Sequence, residues 1–242
     1  MNRRGLAVSL LVLLLLSPTA CAANMKAETL AKRVGQVFAG YDDFWVWVTQ
    51  RFHNPDGRIA GPTRGRAYFK RDKMFRLNFG QPPVIVHGTD GKEYWIYDRK
   101  KNTIEFWDVE DAPIHPLLPV FALGGKMVKA LDRWFNVDAL EQVPFGPDKL
   151  IVYKLVLSLK PERLKELHKK GGEKLAPDAK QTWSFWIDKK TYLPKRIQVD
   201  LETKHRYVFE LDKFHNNVGL NSRLFRRPEP PGVEPKKISK GG

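Results

Sequence analysis

The 242-residue chain carries 42 Lys and Arg against 27 Asp and Glu, a formal charge of +15, and one cysteine. A single cysteine rules out an intrachain disulfide and any site built from paired cysteines, so the fold must hold through its core, and the length suffices for one large domain. The positive excess points to anionic surfaces, or to nothing more specific than solubility.

In chain order, Met1-Asn2-Arg3-Arg4 is a positive start followed by an apolar run from Gly5 to Leu16. About twelve apolar residues fall short of the roughly twenty that cross a bilayer, so 1-22 reads as a cleaved secretory signal. Cleavage after Ala22 or Ala23 gives a soluble exported chain without cysteine, whereas lipoprotein processing would leave an anchor on Cys21; Pro18 disfavours the second. For an exported protein the anionic surfaces are lipid headgroups or acidic proteins, not nucleic acid.

Leu30, Val34 and Val37/Phe38 recur at helical spacing and predict an amphipathic first helix over Met25 to Phe38. Gly40-Tyr41-Asp42 ends it, and Phe44 to Val48 reads as a strand buried on both faces. From Asn54 to Asp108, turn residues recur at short intervals between apolar runs at 67–69, 75–79, 84–86, 94–97 and 104–107, the pattern of an antiparallel meander. Alternation puts Phe75, Leu77 and Phe79 on one face. Val120 to Phe135, with Phe121, Leu131 and Trp134, predicts a second helix. Strands return at Leu150 to Leu159, Trp183 to Asp188, Lys195 to Leu201 and Arg206 to Leu211, with a short piece near Arg223 to Phe225. Pro161 to His168 reads as a short helix leading into a polar excursion that ends at Lys180.

About eleven strands are more than a flat sheet carries comfortably without curling. The predicted fold class is therefore mainly β with a helical lid (α+β): an unclosed antiparallel β-barrel of about eleven strands covered by two or three helices. It spans 24-228, and a basic Pro/Gly-rich tail over 229-242 is extended or disordered.

Nucleophile elbows, zinc-protease motifs, phosphate-cradling glycine loops and paired-cysteine metal sites are absent from the sequence, so no enzymatic activity, no cofactor and no metal is expected. His53, His87, His115, His168, His205 and His215 are dispersed. Glu105, Asp108, Glu110 and Asp111 cluster near a strand end, either as a carboxylate pair for hydrolysis or as solvated acids. The 7 Trp, 7 Tyr and 14 Phe either fill an ordinary core or line an apolar cavity beneath a helical cover.

Three stretches carry a resemblance: Tyr68-Phe69-Lys70-Arg71-Asp72-Lys73-Met74-Phe75-Arg76-Leu77, Thr89 to Asp98, and Pro230-Pro231-Gly232-Val233. In order and spacing the chain resembles the outer-membrane lipoprotein carrier family (LolA), within a half-barrel group that also holds the receptor LolB. The resemblance implies a periplasmic carrier, a monomer, that shelters the acyl chains of lipoproteins, or other lipids, without changing a bond. It would receive them from an inner-membrane lipoprotein-releasing transporter and pass them to an outer-membrane acceptor. An anchored LolB-like receptor, or an envelope lipid-sensing module of the same fold, is the alternative. Phe69, Phe75, Leu77, Phe79, Trp95, Tyr97, Phe121 and Trp134 are the expected acyl-chain lining. The family's lid-latching arginine falls on Arg71, which would hydrogen-bond carbonyls of the lid helices in the empty state, or would be a solvent-facing turn residue. Asp72 replaces the family's proline and offers a local ion pair, and the segment from Lys160 to Lys180 departs from the familiar members.

Overall fold

The computed structural model describes residues 25–109, 133–162 and 181–238. The predicted signal segment with Cys21, most of the second predicted helix including Phe121, the excursion after Glu162, and 239–242 lie outside the described residues.

One α-helix, α1 (Ala27–Ala39), precedes β1 (Asp43–His53), β2 (Ile59–Lys70), β3 (Met74–Phe79), β4 (Ile85–Thr89), β5 (Glu93–Asp98) and β6 (Thr103–Asp108). The second half holds β7 (Phe135–Phe145), β8 (Leu150–Leu159), β9 (Gln181–Asp188), β10 (Pro194–Leu201) and β11 (Arg206–Asn216); β12 (Lys236–Lys237) follows a 3-10 turn at Ser222–Phe225. All join one 12-stranded sheet in the order β12-β6-β5-β4-β3-β2-β1-β11-β10-β9-β8-β7. Every junction is antiparallel except that of β12 with β6, which is parallel. β7 and β12 are edges and do not pair with each other, so the sheet stays open, consistent with an unclosed barrel.

The meander follows from its turns. Lys70 pairs with Met74 around Arg71, Asp72 and Lys73, and the last two adopt left-handed backbone with φ of 70° and 63°. The β4–β5 hairpin turns at Gly91, φ 93°, where a Cβ would stand 2.6 Å from the Asp72 carbonyl oxygen; only glycine lets this turn touch the β2–β3 turn.

Two elements differ from the sequence reading. β7 is not among the predicted strands, and Phe135, the expected end of the second helix, begins it; Asp138, Glu141, Gln142 and Pro144 interrupt its alternation, and it lies at the sheet edge, where proline and charge are tolerated. The short strand expected near Arg223 is the 3-10 turn, capped by the Asn221 side chain accepting from the Arg223 backbone N–H. The expected cover of two or three helices is represented among the described residues by α1 and the helical residues 133–134 that lead into β7.

α1 buries the stripe Leu30, Ala31, Val34, Gly35 and Phe38 against one face of the sheet, here termed the inner face. Its end is closed by the Gly40 N–H, which donates to the Gln36 and Val37 carbonyls at 3.2 Å. On the outer face the chain after β11 crosses back over β3 to β6 as a strap, and ends by donating from the Ile238 N–H to the Phe106 carbonyl at 2.8 Å.

Candidate functional site

Strand register assigns each side chain to a face, since residues directly opposite one another in an antiparallel pair point the same way. Phe44, Phe69 and Phe75 form one row across β1, β2 and β3; Val46, Ala67 and Leu77 form the next; Val48, Gly65 and Phe79 the third. On the far side of β1 the same face continues through Leu211, Phe209, Ile197, Phe185 and Leu155. These residues and the α1 stripe make a single apolar cluster.

An open hydrocarbon-lined cavity was the expectation for this face. The space between α1 and the sheet is instead filled by rings: Phe38 lies 5.3 Å from Phe44, Phe44 stacks on Phe69 at 4.7 Å, and Phe69 meets Phe75 at 4.9 Å. Among the described residues the helix packs its rings directly onto this part of the face.

The expected lining residues divide. Phe69, Phe75, Leu77 and Phe79 share the inner face with α1, and half-buried Trp134 packs against the same cluster. Trp95 and Tyr97 are a correction. They belong to a second cluster with Val86 and Ile104 on the outer face, because Trp95 pairs with Gly88 and Phe106, one residue out of phase with the inner row. There the strap covers them: Val233 packs on the cluster, and the Trp95 Nε1–H donates to the Phe225 carbonyl at 3.4 Å. Gly88 exists for this ring, since a Cβ there would stand 2.2 Å from it.

Arg71 sits on the β2–β3 turn against the C-terminal end of α1. Its Nη2 donates to the Ala39 carbonyl at 3.1 Å and its Nε to the Tyr41 carbonyl at 3.3 Å. These are carbonyls at and just beyond the negative end of a helix, where a cation is favoured. The guanidinium also pairs with Asp42 at 3.0 Å, so its carboxylate partner is Asp42 rather than the neighbouring Asp72. At 60% side-chain exposure the contact is a surface tie. Nearer the helix middle, Arg33 Nη1 donates to the Tyr192 hydroxyl at 2.6 Å, fastening α1 to the β9–β10 turn.

Three groups carried no sequence signal. Trp183, on β9, is 5% exposed on the inner face, and its Nε1–H meets no hydrogen-bond partner among the described residues. Desolvation of the half-buried His87 holds its pKa down at about 4, and its Nδ1 lies 2.9 Å from the Tyr94 hydroxyl, whose own pKa burial pushes up. The Asp43 carboxylate is buried at the head of the strap and accepts from the Val218, Gly219 and Leu220 backbone N–H groups at 2.8, 3.2 and 2.7 Å.

Of the acidic cluster, Glu105 and Asp108 fall on opposite faces of β6, and Asp108 pairs with Lys237, while Glu110 and Asp111 lie outside the described residues. Among the described residues no group of three or more His, Cys, Asp or Glu could hold a metal ion, and no helix is long and apolar enough to cross a membrane.

No family model matches the chain. An uncharacterized protein of Methanocaldococcus jannaschii is 22% identical over 237 residues, 97% of this chain; the chain spans 61% of the length of that curated relative. An uncharacterized conserved protein from Thermus thermophilus shares the fold with a TM-score of 0.51 at 16% identity, over 88% of this chain and 100% of that one. A LolA superfamily protein from Nitrosomonas europaea, from the group that the sequence motifs resemble, is similar with a TM-score of 0.42 at 11% identity, over 84% and 98%.

Proposed function

We propose that the chain is an exported carrier that shelters acyl chains of lipoproteins, or other lipids, between the inner face of the sheet and α1, and that it changes no bond. The observation that carries the reading is an apolar face running across β1–β3 and β7–β11 whose described cover is one short helix, tied at its end by an exposed arginine. The magnitudes make exchange feasible. Uncovering Leu30, Val34 and Phe38 costs about 5–9 kcal/mol at about 1.5–3 kcal/mol per side chain, while an acyl chain of about sixteen carbons gains on the order of 10 kcal/mol when shielded. A guest that replaces the helix is held, and a helix that returns expels it.

In this reading the cargo comes from an inner-membrane lipoprotein-releasing transporter and goes to an outer-membrane acceptor, and the carrier works as a periplasmic monomer with no nucleic-acid partner, cofactor or metal. Native mass spectrometry of protein purified from the cell envelope tests it. Co-purified lipid or lipidated peptide, lost on substituting Phe69 and Leu77 by Asp, is the expected result. A chain that carries no lipid and takes none from labelled vesicles would end the reading.

A further inference from the structure

The outer face of β1 and β2 lies beside the strap and interleaves exposed arginines with half-buried tryptophans. Trp45 and Trp47 project from it half-buried, with Arg66 between them, its guanidinium 5.0 Å and 4.2 Å from the two rings. Arg64 lies 4.6 Å over Trp47, and His215 stacks on Trp45 at 3.9 Å. The result is a ladder of alternating cation and ring. Beside it lies a groove of about 240 Å³ bordered by Trp47, Arg66, Tyr68 and the Gly80-to-Pro83 turn.

A guanidinium stacked on an indole uses its faces, leaving the in-plane N–H fork free. Among the described residues the side chains of Arg64 and Arg66 form no ion pair and no hydrogen bond, in contrast to Arg51 and Arg196, which share Glu210 at 2.6 and 2.8 Å. The acid on this face nearest in register is Asp212, opposite Trp47. Two exposed arginines, held flat by tryptophans with their donors unspent, match phosphodiesters, and half-buried Trp and Tyr side chains are the residues that settle at headgroup level.

We infer that this outer-face ladder docks the protein on an anionic phospholipid surface, with Arg64 and Arg66 on headgroup phosphates and Trp47 and Tyr68 at the interface. The inference stands apart from the acyl-chain site, which lies on the other side of the sheet. The chain's charge of +15, or +13 once Arg3 and Arg4 leave with the signal segment, supplies long-range attraction of the same sign.

The test is co-sedimentation with vesicles of phosphatidylcholine alone or with about one third phosphatidylglycerol, using the full chain with Cys21→Ala so that no acyl anchor contributes. Binding to the anionic vesicles is expected, with a blue shift of tryptophan emission, and Arg64→Ala/Arg66→Ala should weaken it about thirtyfold at roughly 1 kcal/mol per arginine. Arg64→Lys/Arg66→Lys should keep part of it, since charge remains while the planar fork is lost. Both arginines are exposed, and an unchanged melting temperature verifies the fold of each variant. Equal binding to both vesicle types, or binding indifferent to the double alanine change, overturns the inference. So does stronger retention by soluble poly-glutamate than by vesicles, which would assign the ladder to an acidic protein.

Discussion

Replacing Arg71 by leucine removes the two hydrogen bonds that tie the end of α1 to the β2–β3 turn, at 3.1 and 3.3 Å, together with the Asp42 ion pair. In a buried site such a set would be worth several kcal/mol. Here the guanidinium is 60% exposed, so screening reduces the pair to a few tenths and each charged hydrogen bond to about 0.5–1 kcal/mol, about 1–2 kcal/mol in all. That loss falls on the closed arrangement, in which α1 competes with lipid for the inner face. The apparent lipid affinity should therefore rise by about 5- to 30-fold, mainly through slower release. Hydrogen exchange of amides in α1 should accelerate by a similar factor while β8–β10 stay protected, and transfer of a labelled acyl probe to acceptor vesicles should slow. If α1 exchange and transfer kinetics both match the unaltered chain, Arg71 is an ordinary turn residue and the latch is wrong.

Gly88→Ala places a methyl 2.2 Å from the Trp95 ring, which is fully buried and cannot retreat; a loss above about 2 kcal/mol is expected by chemical denaturation, with Gly57→Ala, an exposed turn position with nothing within 4 Å, costing less despite its φ of 85°. His87 has its pKa held at about 4 against 6.5 unfolded, so the unfolded chain binds the proton first and stability falls as pH drops from about 6.5 to 4. The loss is about 3 kcal/mol, and it should vanish from the pH–stability profile of His87→Gln. Trp183→Phe removes a buried N–H that meets no acceptor among the described residues, so it should cost under about 1 kcal/mol, where a hydrogen-bonded tryptophan would cost more; a loss of 3 kcal/mol would reveal an acceptor on that nitrogen.

The sequence made the inner face legible where alternation was clean. In β3, Phe75, Leu77 and Phe79 are separated by Met74, Arg76 and Asn78, and the polar set marks the side that meets water or the strap. β5 gave no such sign. Tyr94 and Trp95 are neighbours and both are buried, on opposite faces, because a segment more than a hundred residues further along the chain covers the outer one. No local pattern reports a cover that arrives from so far away, so the sequence does not tell that Trp95 and Tyr97 belong to the strap-covered face. Arg71 came from a resemblance rather than from its chemistry; its carboxylate partner, Asp42, lies across the β1–β2 hairpin and could not be told from Asp72 by sequence distance. The unpartnered Trp183 nitrogen follows from strand register and packing, and neither is written in the residues around it.

The strap connects the two faces. Leaving β11, the chain is caught at once by the Asp43 carboxylate, which accepts three consecutive backbone N–H groups, and by Lys70, whose Nζ donates to the Leu220 carbonyl. Arg76 then donates to the Leu224 carbonyl at 2.8 Å, Phe225 is buried completely, and Arg227 stacks 4.0 Å over Phe106. Asp43 and Lys70 are themselves register partners at the root of the β1–β2 pair, one strand turn from Arg71 and the end of α1. A buried carboxylate that accepts three backbone donors is a rigid anchor, because losing any one leaves charge unsatisfied in a dry site. The strap therefore holds β3 to β6 as a fixed wall, while α1, seated by its apolar stripe and by the exposed polar ties of Arg33 and Arg71, is the element proposed to give way. It touches β1 and β2 only at the Asp43 and Lys70 ends of those strands, and among the described residues that leaves the Trp45–Arg66–Trp47 ladder uncovered.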